Sequence, residues 1–248
     1  MSHHYIEFRD VSYRYASGVA ALQGVSFRIS HGEKVALMGR NGAGKSTLLQ
    51  LCDGLLMPSS GSIDVGGISL TKKTLPNIRR SVGIVFQNPD DQLFMPTVEE
   101  DVAFGPLNMK LPREDVEKRV HKALEAVGCI DLAKRAPMQL SGGQKRRVAI
   151  ATVLSMEPSV LVLDEPTSNL DWDAREAVVR MIRNFDHTCL IASHDLALIK
   201  NICRRALVLD GGKIVADCTM DEVFNNAEVL SCLGLTKESL NHLCVCGG

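Results

Sequence analysis

Apolar and polar residues alternate through the first third of the chain, which predicts β-strands there. Ile6-Glu7-Phe8-Arg9 and Val25-Ser26-Phe27-Arg28-Ile29 each put their apolar side chains on one face. Gly61-Ser62-Ile63-Asp64-Val65-Gly66-Gly67 reads as another strand closed by turn residues. Val35-Ala36-Leu37-Met38 and Val82-Gly83-Ile84-Val85-Phe86 read as short buried strands, the second ending at Gln87. From residue 89 to 156 the strand runs stop and helical spacing replaces them. Val116, Val120, Ala123, Leu124 and Val127 form one stripe, opposite Glu117, Lys118 and Lys122. Strand runs return at Val160-Leu161-Val162-Leu163, Leu190-Ile191-Ala192 and Ala206-Leu207-Val208-Leu209, with helical segments between them. That is the pattern of a parallel α/β sheet. The chain therefore reads as one α/β core, residues 1–88 and 157–235, interrupted by a helical insertion, residues 89–156. Residues 236–248 remain as a C-terminal tail.

Composition narrows this picture. The 248 residues suffice for a sizeable core, and the charged and apolar fractions are those of a globular protein. A formal net charge of −1 supplies no polybasic field, so nucleic acid is not an expected partner. No apolar run approaches the roughly 18 residues of a membrane span. The first residues, Met1-Ser2-His3-His4-Tyr5, lack the apolar core of a signal peptide. Eight scattered cysteines without a C-x-x-C pair point to buried free thiols in a reducing compartment. The tail sequence His242-Leu243-Cys244-Val245-Cys246 has soft-ligand chemistry but reads more simply as a terminal tail.

Chemistry enters at residues 39–47, Gly39-Arg40-Asn41-Gly42-Ala43-Gly44-Lys45-Ser46-Thr47, which fit the phosphate-binding pattern G-x-x-x-x-G-K-[ST]. An apolar strand precedes the loop and a helix follows it. The glycines at 39, 42 and 44 let backbone N–H groups approach phosphates, and the helix N-terminus adds to the attraction. Lys45 is placed to reach the β- and γ-phosphates, and Ser46 to put its hydroxyl on Mg2+. The ligand class is a nucleoside triphosphate with Mg2+. The strand Val160–Leu163 ends in Asp164 and Glu165. Asp164 suits Mg2+ coordination, and Glu165, one residue on, suits polarising an attacking water.

Leu140-Ser141-Gly142-Gly143-Gln144 opens a helix expected to begin near Lys145-Arg146. Two glycines and a hydroxyl at a helix N-terminus make an anion site. A chain with one phosphate loop has no use for a second such site, unless it serves a nucleotide held by another copy.

With these pieces in order the sequence resembles the ATP-binding cassette (ABC) ATPases over residues 5–235. The order is the phosphate loop, Gln87, residues 140–144, the acidic strand, the Ser168-Asn169-Leu170-Asp171 turn, and Ser193-His194-Asp195. The resemblance implies a P-loop NTPase (RecA-like) α/β core, an N-terminal antiparallel β-subdomain and an inserted helical subdomain. It implies two subunits facing head to tail around two ATP-Mg2+. Each ATP would lie between Gly39, Asn41, Gly42, Ala43, Gly44, Lys45, Ser46 and Thr47 of one chain and Ser141, Gly142, Gly143 and Gln144 of the other. Tyr15 resembles the aromatic that stacks on adenine, with Tyr13 as the alternative. Gln87 resembles the glutamine that senses Mg2+ and the γ-phosphate. Asp171 resembles the residue that signals across the dimer, and His194 the switch histidine at the γ-phosphate. ATP hydrolysis would then rest on Glu165, His194, Lys45 and Gln87, with Ser46, Gln87 and Asp164 around the metal.

Residues 87–106, from Gln87-Asn88-Pro89-Asp90-Asp91-Gln92-Leu93-Phe94 to Phe104-Gly105-Pro106, sit where core meets insertion. In the family this seam is a groove for a helix of the membrane partner. Its wording looks most like the ATPases of energy-coupling-factor (ECF) importers, cobalt/nickel branch. That implies a transmembrane coupling protein docking near Gln87–Phe104, a membrane substrate-binding subunit, and a place on the cytoplasmic face of the cell membrane. The second ATPase would be an identical copy or a close relative. A vitamin-importing ECF ATPase, or another ABC transporter ATPase, is the alternative. Soluble ABC ATPases acting on nucleic acid or in translation are more remote. They usually carry a coiled-coil insertion or tandem cassettes, whereas here 54 positions separate Gln87 from Ser141.

Overall fold

The computed structural model describes residues 5–236. The tail residues His242, Cys244 and Cys246, like the residues before Tyr5, lie outside that range. In chain order the first third holds β1 (Ile6–Arg14), β2 (Ala20–Ile29), β3 (Lys34–Met38), α1 (Lys45–Cys52), β4 (Ser60–Val65), β5 (Ile68–Ser69), α2 (Leu75–Ser81) and β6 (Val82–Val85). The insertion holds α3 (Val98–Asn108), α4 (Arg113–Ala126) and α5 (Gly142–Leu154). The chain returns with β7 (Val160–Asp164), α6 (Trp172–Asn184), β8 (Thr188–Ala192), α7 (Leu196–Ile202), β9 (Arg205–Asp210), β10 (Lys213–Thr219), α8 (Met220–Asn225) and α9 (Ala227–Leu233).

Among the described residues two sheets form. An antiparallel four-stranded sheet runs β2-β1-β4-β5, and a six-stranded sheet runs β10-β9-β3-β8-β7-β6. In the second, β9, β3, β8, β7 and β6 pair in parallel. Alternation inside the apolar runs explains why this sheet needs cover on both faces. Ala36, Leu161, Leu163, Ile191 and Val208 point into one core with the insertion and α6. Val35, Leu37, Val162, Leu190 and Leu207 point into the other, with α1 and the antiparallel sheet. The stripe on α4 packs as its spacing predicts, with Val116, Ala123, Leu124 and Val127 buried.

Three details differ from the sequence reading. The helix α2 lies in a stretch read as strand-forming. The strand β10 pairs antiparallel with β9, so the sheet is not wholly parallel. Gly211 and Gly212, at φ 52° and 78°, make the tight turn that reverses the chain there. The helix α5 begins at Gly142, because Ser141 Oγ accepts the Gln144 N–H while the Gln144 side chain accepts the Ser141 N–H. This reciprocal cap fixes the start three residues earlier than expected.

The phosphate loop is packed against the end of β9. A Cβ added at Gly39 would stand 2.3 Å from the Leu209 carbonyl oxygen. Gly39→Ala is therefore expected to cost about 1–3 kcal/mol, as overpacking does, and thermal denaturation of the variant measures it.

Candidate functional site

The site is assembled at the C-terminal ends of the parallel strands, where the loops after β3, β6, β7 and β8 converge. They line a cavity of about 690 Å³ with Tyr15, Asn41, Gly42, Gly44, Lys45, Ser46, Thr47, Gln87, Asp164, Glu165, Ser168 and His194. Lys45 is the first residue of α1 and is buried. Its ammonium donates to the carbonyls of Gly39 at 2.7 Å and Arg40 at 3.2 Å. Burial pulls the Lys45 pKa down, and the nearby Glu165 and Asp164 carboxylates oppose that pull. Ser46 donates its hydroxyl to Asp164 Oδ2 at 2.9 Å, joining the end of β7 to α1. Burial raises the Asp164 pKa, which the Ser46 hydrogen bond partly offsets. A hydroxyl, a buried carboxylate and the Gln87 amide in one cavity form a hard oxygen set. That set fits Mg2+ completed by phosphate oxygens.

Glu165 has a left-handed backbone, φ 50°, a conformation costing a non-glycine residue roughly 1–2 kcal/mol. Long-range contacts hold it there. Its N–H donates to the Ala192 carbonyl at 2.8 Å. Its carboxylate accepts from Ser168 Oγ at 3.2 Å, Ser193 Oγ at 3.2 Å and the His194 N–H at 3.0 Å. His194 Nε2 lies 3.7 Å from Glu165 Oε1 and 3.1 Å from Asn41 Oδ1. The loop after β8 and the end of β7 thus meet at one carboxylate, and the His194 ring links them to Asn41 of the phosphate loop. Tyr15 lies in the cavity wall, its hydroxyl 2.7 Å from Thr47 Oγ1. Tyr13 packs edge-on behind it and against the core, so Tyr15 is the tyrosine that lines the cavity.

Not every predicted residue converges here. Gly39 and Ala43 shape the loop from behind, Ala43 within the core. Asp171 caps α6 by accepting the Ala174 N–H. Gly142 lines a second cavity of about 440 Å³, with Asn88, Asp90, Lys145, Arg146 and Asn169. Ser141, Gly143 and Gln144 stand beside it in the cap of α5. Gln87 and Ser168 line both cavities. The phosphate loop and the 140–144 segment of one chain therefore do not share a pocket.

Sequence reasoning missed what ties the two cavities together. Arg146, buried on α5, donates to the carbonyls of Phe86 (2.7 Å) and Gln87. The Phe86 N–H donates to Gln92 Oε1, and the Gln92 amide donates to Ala149 O and Thr152 Oγ1, both at 2.7 Å. The backbone just before Gln87 is thus fastened on both sides to the 140–144 helix. Arg175 on α6 is bidentate to Asp195, next to His194. Burial would raise the Asp195 pKa, but Arg175, the Leu198 N–H and Thr167 together take it below its usual value.

The sequence from 22 to 168 matches the family profile described as ABC transporter. A putative ABC transporter ATP-binding protein of Geobacter sulfurreducens is 52% identical over the full length of both chains. An energy-coupling factor transporter ATP-binding protein of Methanothermobacter thermautotrophicus is 45% identical, over 98% of this chain and 81% of the relative. Among solved structures, cbiO1 from Clostridium perfringens, described as part of the ABC transporter complex cbiONQ, superposes with a TM-score of 0.79. It is 39% identical over 97% of this chain and 98% of that one.

Proposed function

The chain belongs to the ABC transporter family of ATP-binding proteins, and from that premise we propose that it is the ATP-hydrolysing subunit of an ECF-type importer. Two such subunits close around two ATP, and the cargo is a transition-metal ion, cobalt or nickel. The carrying observation is the split site. A phosphate cavity and the cavity at the 140–144 segment, here the signature cavity, meet at Gln87 and Ser168 but do not merge within one chain. The names of the relatives in Methanothermobacter and Clostridium support the ECF type.

In this mechanism Lys45 and the loop N–H groups hold the β- and γ-phosphates. Ser46, Asp164 and Gln87 would hold Mg2+, which would neutralise charge on the phosphate oxygens. Tyr15 stacks on adenine. Glu165, fixed as an acceptor by Ser168, Ser193 and the His194 N–H, orients the attacking water. The His194 ring faces the γ-phosphate and stabilises charge developing there. Ser141, Gly142, Gly143 and Gln144 of the other subunit complete the site, and Asp171 reports across the interface.

The seam supplies the link to a membrane partner. Phe94 and Phe104 stack edge to face at 4.9 Å and are 64% and 43% exposed, beside exposed Leu107 and Met138. Asp101 fixes this surface by accepting the N–H groups of Phe94 and Met95, both at 3.0 Å. Among the described residues no helix is long and apolar enough to cross a membrane. In this reading the chain works as a peripheral subunit on a multispanning coupling protein. From Phe94, Gln92 leads to the Phe86 backbone, next to Gln87, and to the α5 helix, a short route from docked helix to both half-sites.

Detergent pull-down of the intact chain is expected to recover a small multispanning protein. Phe94→Asp should reduce that recovery about tenfold or more, as loss of an aromatic anchor does, without lowering the melting temperature. Recovery of nucleic acid or ribosomes instead would sink the transport reading. Uptake of labelled cobalt or nickel by vesicles bearing the recovered complex tests the cargo.

A further inference from the structure

Trp172 is the sole tryptophan of the chain, and it is 67% exposed. It occupies the first turn of α6, directly after the Asp171 cap and between exposed acids, where an indole buries little. Helix formation does not ask for it, since first-turn positions favour proline and small or acidic residues. The Arg175 guanidinium lies 5.9 Å from the indole centroid, and Arg175 is fixed by Asp195 and by Glu176 at 3.2 Å.

Its position ties it to the split site. Trp172 ends the turn Ser168-Asn169-Leu170-Asp171. Ser168 lines both cavities, Asn169 lines the signature cavity, and Leu170 packs at the helix start, 3.4 Å from where a Cβ on Gly143 would stand. Trp172 itself lines neither cavity, but it directly follows the turn that does, beside what must meet the missing half of each site. It is distinct from the Phe94–Phe104 seam.

We infer that Trp172 is an anchor of the interface with a second copy of this chain, buried when the two copies close on ATP. The inference rests on the sandwich reading above and goes beyond it by naming the side chain that carries contact energy. Because Arg175 joins Trp172 to Asp195, contact at the indole also bears on the loop that presents His194. Large aromatics that become fully desolvated at the centre of a contact carry a disproportionate share of binding energy.

The test uses the full-length Glu165→Gln protein, where closed dimers accumulate, and reads mass by light scattering and the single tryptophan by fluorescence. With Mg-ATP, dimer mass should appear together with a blue-shifted emission and protection from acrylamide quenching. Adding Ser141→Arg should abolish both. Adding Trp172→Ala should weaken the dimer about tenfold or more, and Trp172→Phe should restore most of the loss. The melting temperature and ATP affinity of the monomer should stay as before. A dimer that forms with unchanged emission, or is equally tight with Trp172→Ala, overturns the anchor and leaves the sandwich standing. Absence of any ATP-dependent dimer overturns the sandwich and the anchor with it.

Discussion

Glu165→Gln is expected to keep ATP binding, slow turnover about a hundredfold or more, as loss of a general base does, and hold the protein as an ATP-bound dimer. The geometry argues for each part. ATP affinity comes from Lys45 and the loop amides, and none of these depends on the Glu165 charge for its position. Lys45 donates its hydrogen bonds to the Gly39 and Arg40 carbonyls. Turnover depends on an acceptor aimed into the cavity. Glu165 receives two serine hydroxyls and a backbone N–H. All three are donors, so they hold a carboxylate and orient it without competing for its role. An amide of the same size replaces one acceptor oxygen with a donor and removes the charge. Steady-state phosphate release and nucleotide titration check the two halves separately. A Glu165→Gln protein with normal turnover would remove this carboxylate from the mechanism.

The sequence discloses the parallel core because burial on both faces leaves continuous apolar runs. Val160–Leu163 and Leu190–Ala192 could be little else between helical segments. It discloses α4 because its stripe repeats over more than three turns. The helix α2 escapes notice because it is short and buries only Ile78, so no periodicity develops. The strand β10 escapes because it lies at the sheet edge with Ile214, Ala216 and Cys218 only half-buried. The Gly211-Gly212 pair was the available signal for its hairpin.

The site divides the same way. Lys45, Ser46, Asp164 and Glu165 are legible because each belongs to a local pattern of strand, turn and helix. The residues that position them are not. Ser193 reaches Glu165 across 28 positions, and Arg146 reaches Phe86 across 60. No spacing within a single element encodes such contacts. The first arises when β8 pairs beside β7, and the second when the insertion folds back on the core. Even the S-x-x-Q cap at Ser141–Gln144, which is local, was hidden by its second reading as an anion site. The cap uses the Gln144 N–H, and the anion-site reading of the neighbouring Gly142 and Gly143 N–H groups belongs to the proposed dimer.

Lys45→Ala and Ser141→Arg are each expected to abolish ATPase activity alone, and to restore it when the two proteins are mixed. Lys45→Ala removes the buried cation from the phosphate cavity, where loss of one charge-stabilising group costs about 10²–10³ in rate. The space around Ser141 and Gly142 is open. Nothing lies within 4 Å of where a Cβ on Gly142 would stand, so the space beside Ser141 is open to a longer side chain. Ser141→Arg gives up the α5 cap, about 1 kcal/mol, and otherwise blocks what approaches from outside. If each site takes its phosphate loop from one chain and its cap from another, a mixed dimer contains one doubly damaged site and one intact site. Half of randomly formed dimers are mixed, so roughly a quarter of the wild-type sites should reappear in a symmetric two-site dimer. The recovered rate should follow the product of the two protein concentrations at low concentration. Were the loop and the 140–144 segment to serve one nucleotide within one chain, mixing would restore nothing. The split between the two cavities makes recovery the expected result.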